Sequence, residues 1–132
     1  MPERELVVCK GECFTIEWGP AGSGECQARE YYEEMVVSDR QKALALFVRM
    51  ADRGRIFDKT KFTKETDKLY AFKPQPHRFF CFFVSGKRII IVTAYRKQSE
   101  KAPKREINRA EAIRASWLHR FGVEGEDTHG ED

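Results

Sequence analysis

The chain has 132 residues, 41% hydrophobic and 34% charged, with a formal net charge of +3. That length suits one domain with a core of its own, and the composition excludes a disordered or membrane-embedded class. No apolar run approaches the roughly 20 residues of a spanning helix, and the opening MPERELVVCK lacks the basic head and apolar core of a secretory signal, so a cytoplasmic protein is expected.

The first segment, ELVVCKGECFTIEW, predicts an N-terminal hairpin over about residues 5–18 that turns near Lys10 to Glu12. GPAGSGE interrupts, and Tyr31, Tyr32, Met35 and Val36 then recur at helical spacing in CQAREYYEEMV. A second helix is expected from Ser38, as N-cap with Gln41 as capping-box partner, to a stop at Gly54. Its apolar stripe would be Ala43, Leu44, Phe47, Met50 and Ala51. After the polar stretch FDKTKFTKETD comes a three-stranded meander: Lys68 to Pro74, Arg78 to Val84 and Lys87 to Lys97. Pro74 and Pro76 fix the first connection, and SG makes the second a short hairpin loop. A last helix runs from Pro103 to Gly122, with Ile107, Ala110, Ile113, Trp117 and Leu118 on one face. The organisation is a single domain over 1–122 followed by an acidic flexible tail over 123–132. The fold class is α+β, with helices packed on a small antiparallel sheet.

Four cysteines, Cys9, Cys13, Cys26 and Cys81, contain no C-x-x-C pair and read as free thiols. A zinc site from Cys9, Cys13, Cys26 and a histidine would rest on C-x3-C spacing alone, so no metal or other cofactor is expected. Charge is the stronger signal. Residues 73–120 carry 12 basic side chains against three acidic ones, and the tail compensates with five acids. Positive charge concentrated in one region points to a polyanion.

Pairing parity decides which of those charges meet. Either two-residue loop at the hairpin tip puts Arg78, Tyr95 and Lys97 on one face of the sheet, with His77, Ala94 and Arg96 on the other. At frayed strand ends Arg96 could still reach the first rim. Arginines, lysines and a tyrosine suit phosphate, since guanidinium binds its oxygens in bidentate fashion. RNA brings its own nucleophile, the 2′-hydroxyl, so cleavage needs a base, an acid and cations for the crowded phosphorane, without a metal. Tyr95 is a candidate base if Arg78 and Lys97 lower its pKa, and His77 and the lysines are the other proton carriers. Plainer readings stand beside these. Tyr95 also fits an amphipathic strand end, and His77 a solvated turn. Lys87 and Arg88 read as solubilising charges, and the phenylalanines 79, 80, 82 and 83 as a strand covered on both faces rather than a base-stacking platform.

The stretch KLYAFKPQPHRFFCFFVSGKRIIIVTAYRKQSEKAPKREINRAEAIRASWL resembles the phage-derived, HigB-like branch of the RelE toxin superfamily. There a strand of the type L-x-E-[LF]-[RK] precedes an arginine-led strand, a hydrophobic strand ending in F-x-K-K, and T-P-x-x-E-I-x-x-A. The resemblance covers residues 68 to about 115. It implies a RelE-like fold with two helices before the meander, and a toxin of a type II toxin–antitoxin pair that cleaves mRNA, typically on the ribosome, without a cofactor. Residue by residue it puts Lys73 at the basic position ending the first meander strand and Arg78 at the arginine opening the next. Arg96 and Lys97 fall in the basic stretch after the third strand, with Lys101 and Lys104 on the approach to the helix. AYRKQSEKAP replaces the usual aromatic, paired lysines and T-P, and YAF stands where a glutamate is frequent.

The resulting expectation is an endoribonuclease whose site comprises Arg78, Arg96, Tyr95, Lys97 and Lys73, with His77, Lys101, Lys104, Arg105 and Arg109 binding RNA. Its partners would be a cognate antitoxin, of the helix-turn-helix type, and ribosome-bound mRNA, with no membrane. Two other readings stay open: a non-catalytic RNA- or ribosome-binding module, and a phage-derived protein associated with DNA.

Overall fold

Every residue of the strand His77–Val84 is buried, as is most of Arg88–Arg96 beside it. Strands without an exposed face must be covered on both sides. The computed structural model, which describes residues 3–122 and 125–126, places that cover. In chain order the elements are β1 (Val7–Lys10), β2 (Thr15–Trp18), α1 (Gln27–Glu34), α2 (Val37–Arg53), β3 (Phe62–Lys64), β4 (Tyr70–Phe72), β5 (His77–Val84), β6 (Arg88–Arg96), α3 (Lys104–Phe121) and β7 (Gly125–Glu126). The sheet runs β1-β2-β6-β5-β4-β3, and β7 adds a short pairing to the end of β5.

The chain is α+β, as expected, but the sheet is larger and mixed. The N-terminal hairpin joins it through a parallel pairing of β2 with β6. Arg88 locks that seam with a bidentate bond to Glu17 at 2.7 and 2.9 Å, and its guanidinium lies over the Trp117 ring. Arg88 is therefore a structural residue and not merely a solubilising one. Phe62–Lys64, inside the stretch read as polar, forms an edge strand on β4 because Phe62 alternates inward against Phe72.

Alternation on β5 separates two cores. Phe79, Cys81 and Phe83 pack with β2 and helices α1 and α2, around Phe47. Phe80, Phe82 and Val84 face the other way, against Ala110 and Trp117 of α3. The four phenylalanines are buried, so they form no base-stacking platform. On α2 the buried stripe is Ala43, Leu46, Phe47, Met50 and Ala51; Leu44, expected inside, points outward, since the spacing of 43, 46, 47 and 50 defines the inner face. The helix starts at Val37, with Val36 as N-cap and no side-chain cap, so Ser38 falls within the first turn. Likewise α1 ends at Glu34 and Val36 is exposed. Pro103 is the N-cap of α3, whose carbonyl accepts from Glu106 and Ile107. Gly54 and Gly122 end their helices with left-handed φ of 75° and 64°. Of the expected acidic tail only Gly125–Glu126, as β7, is described, and the remainder lies outside the described residues.

The β5–β6 connection is a three-residue turn, Ser85 to Lys87, and not the expected two-residue loop. Gly86 and Lys87 both take left-handed φ, 85° and 58°. An odd loop shifts the register by one, and a bulge between Phe80 and Cys81 shifts it back. Arg78 therefore pairs with Tyr95, and His77 with Arg96.

Candidate nucleic-acid interface

The open end of β5 and β6 carries two groups of polar side chains, one on each face. On the α3 face stand Arg78, Tyr95, Lys73 and Lys97. Lys73 follows Phe72, the partner of Phe79, which sets it beside Arg78. Lys97 is held where its backbone N–H donates to the Pro76 carbonyl at 2.9 Å. The exposed Glu100 carboxyl is held below its ordinary value, first by a hydrogen bond from Lys97 and also by the charges of Arg78 and Lys73. The charges of all three thus act on one carboxylate, which only Lys97 contacts.

Their partners differ. Lys73 pairs with Glu65 at 3.3 Å and Lys97 with Glu100. The buried Arg78 guanidinium instead donates to Gln75 Oε1 at 3.2 Å and to the His77 carbonyl at 3.0 Å. Among the described residues it makes no ion pair with a carboxylate. Tyr95 is half-buried against Phe80, their ring centroids 5.7 Å apart. Burial raises its phenol above the ordinary value, as do Glu65 and Glu106, and Arg78 offsets this only in part. The expected lowering by Arg78 and Lys97 does not prevail, because desolvation outweighs the neighbouring charge. At neutral pH the phenol keeps its proton and can stack or donate.

On the opposite face, His77 is buried among residues of three elements. Its Nδ1 lies 2.6 Å from Tyr31 Oη of α1 and its Nε2 lies 2.8 Å from Asp39 Oδ2 at the start of α2. Arg96 is on this face too: it is exposed, and its charge acts on both Tyr31 and Asp39. His77 is thus no solvated turn residue. The fold brings Lys73, Arg78, Tyr95 and Lys97 together and sets Arg96 apart from them with His77. Tyr31 and Asp39 were missed because each reads as an ordinary helical residue, and only packing brings them to His77.

Beyond Lys97 the chain runs to α3 with Lys101, Lys104 and Arg105 exposed. Arg109 is tied to Glu106 at 2.6 Å, so part of its charge is already matched. Among the described residues no cluster of three or more His, Cys, Asp or Glu side chains could hold a metal ion. None of their helices is long and apolar enough to cross a membrane.

A family model for the phage-derived protein Gp49-like family (DUF891) matches residues 30–115, from within α1 to within α3. The chain belongs to this family. The Gp49-like proteins are part of the RelE/Gp49 toxin-like group. No curated protein matches the chain. The match takes in every residue of both polar groups, while the N-terminal hairpin lies outside it. In this Gp49-like chain the hairpin forms one edge of the sheet, remote in register from the Arg78–Tyr95 pair.

Proposed function

We propose that this Gp49-like protein is the toxin of a type II toxin–antitoxin pair, of the HigB-like branch, and cleaves mRNA on the ribosome without a metal. The observation that carries the reading is the grouping of Lys73, Arg78 and Lys97 beside Tyr95, in a chain of the RelE/Gp49 toxin-like group. Three cations on a rigid sheet end suit a ribonucleotide backbone, and Arg78, lacking a carboxylate, suits a phosphate best. Lys101, Lys104, Arg105 and Arg109 would extend the phosphate contacts along α3, with Arg96 and His77 on the far rim. A cognate antitoxin of the helix-turn-helix type would cover this basic surface in the cytoplasm until released.

Induced expression of wild type, Arg78→Ala and Arg96→Ala tests the reading. Growth arrest with new mRNA ends in wild type alone is expected; equal arrest in all three, without such ends, overturns catalysis. One observation favours a second reading, a non-catalytic RNA- or ribosome-binding module: on the α3 face the phenol keeps its proton, and the carboxylates of Glu65 and Glu100 are tied up in ion pairs with Lys73 and Lys97. Binding to ribosomes with no cleavage would select that module. Preference for duplex DNA at matched salt would select the DNA-associated reading.

A further inference from the structure

Cleavage through the 2′-hydroxyl needs a proton acceptor, and on the α3 face the carboxylates of Glu65 and Glu100 are already ion-paired with Lys73 and Lys97. The opposite face of the same strand end offers a proton relay. Asp39, His77 and Tyr31 form a linear chain of two short hydrogen bonds, 2.8 and 2.6 Å long. Its polarity follows from the partners. Asp39 is a carboxylate and can only accept, so the proton of the neutral imidazole sits on Nε2. Nδ1 is then an acceptor, and it takes the Tyr31 O–H. The same order of groups, carboxylate to imidazole to hydroxyl, lets an imidazole take a hydroxyl proton while the carboxylate stabilises the cation formed.

Placement separates this chain from an ordinary buried histidine. His77 itself is 6% exposed, but Tyr31 and Asp39 at its two ends are only half-buried. The Tyr31 ring is held edge-on by His77 and Phe79, with centroids 5.5 and 5.9 Å away, which fixes the direction of its hydroxyl. The exposed Arg96, cross-strand partner of His77, makes no hydrogen bond or ion pair among the described residues, and its charge works against the burial that raises the Tyr31 phenol above its ordinary value. An unpaired guanidinium and a polarised hydroxyl on one face provide the two groups a phosphodiester cleavage site requires, an anion holder and a proton acceptor.

We infer that Tyr31 takes the 2′-hydroxyl proton of an RNA whose scissile phosphate rests on Arg96, with His77 and Asp39 as its positioning relay. This rests on the ribonuclease reading above and assigns its base. In the step, the 2′-hydroxyl proton passes to Tyr31 Oη as the phenol's own proton passes to His77 Nδ1. The O2′–P bond forms and the P–O5′ bond breaks, leaving a 2′,3′-cyclic phosphate and a 5′-oxygen that takes a proton from water. His77 then returns its proton to solvent through Tyr31. Lys73, Arg78 and Lys97, across the strand end, hold the neighbouring backbone. The charged and titratable groups facing the relay are Asp39 and Lys42 from α2 and Arg96 from β6.

The test uses the full chain and mRNA bound to purified ribosomes, with wild type, Tyr31→Phe and Asp39→Asn assayed between about pH 6 and 9. Wild-type cleavage should rise with pH and then level off. Tyr31→Phe should cleave about 10²- to 10⁴-fold more slowly, the usual contribution of a general base. Its residual rate should climb tenfold per pH unit with no plateau, because hydroxide replaces the lost acceptor. Ribosome binding should be unchanged. A Tyr31→Phe protein that cleaves within threefold of wild type, or keeps the plateau, overturns the inference. If Tyr31→Phe melts far below wild type, Asp39→Asn decides: wild-type rate and profile in that variant overturn it equally. A wild type that binds ribosomes but leaves mRNA intact at every pH overturns the ribonuclease reading itself, and the inference with it.

Discussion

Arg78 stands directly across from Tyr95 because two irregularities cancel: an odd turn at Ser85 to Lys87 and a bulge at the middle of the β5–β6 pair. Either one alone would leave Arg78 offset from Tyr95 by one residue, and a one-residue slip sends side chains to the wrong face. Through this pair the cation and the phenol share the α3 face.

Deleting Val92, the residue left over where Phe80 pairs with Thr93 and Cys81 with Ile91, should therefore damage function more than a core truncation of equal cost. The expected outcome is loss of RNA binding in any folded fraction, read by ribosome co-sedimentation beside circular dichroism. At the tip, Gly86→Ala should cost about 1 kcal/mol, since φ of 85° disfavours a Cβ. Urea denaturation would show it as a lowered midpoint at constant slope.

The N-terminal hairpin docks on the end of α2 through two backbone bonds, Cys13 and Phe14 both donating to the Ala51 carbonyl at 2.7 and 2.9 Å. Gly11 is what permits that approach. A methyl group there would collide with the Asp52 side chain and the Ala51 backbone. Gly11→Ala should destabilise by about 1–3 kcal/mol, the usual range for overpacking against backbone, and a urea midpoint that stays put would contradict the docking.

Arg78→Lys should not rescue Arg78→Ala. The Arg78 guanidinium spans Gln75 Oε1 and the His77 carbonyl, and an ammonium cannot reach both while facing a phosphate. Ribosome affinity of the lysine variant should lie closer to that of Ala than of wild type, and full recovery would show that charge alone suffices.

The exposed cations leading into α3 make a separable prediction about salt. If Lys104 and Arg105 contact phosphates, replacing each with alanine should reduce the slope of log affinity against log salt by roughly 0.7 for single-stranded RNA. Unchanged slopes would remove them from the interface.

The bond from His77 holds the Asp39 carboxyl below its ordinary 3.8. A depressed carboxyl stabilises the folded state above its unfolded pKa, and that contribution disappears as pH falls through the folded value. Acid unfolding of wild type should thus include a part below about pH 4 that Asp39→Asn lacks. Identical acid limbs for the two proteins would mean the His77 contact contributes nothing.

The sequence by itself determined the helices and the β5–β6 hairpin, whereas the faces expected at its end hold only because an odd turn and a bulge cancel. The helices and the hairpin follow from local period, since apolar spacing of 3.6 or 2 is imposed by whichever side must be buried. Left-handed stops at Gly54 and Gly122 were legible for the same local reason. Only the tertiary structure decided the rest. β3 was hidden because three residues on a sheet edge carry too little pattern to stand out from a polar loop. The parallel seam of β2 with β6, and Arg88 clamping Glu17 across it, join segments about 70 residues apart. The Tyr31–His77–Asp39 chain likewise draws one side chain from each of two helices and a strand. Local periodicity says which side a residue faces, whereas its neighbour on that side is set by how the elements stack.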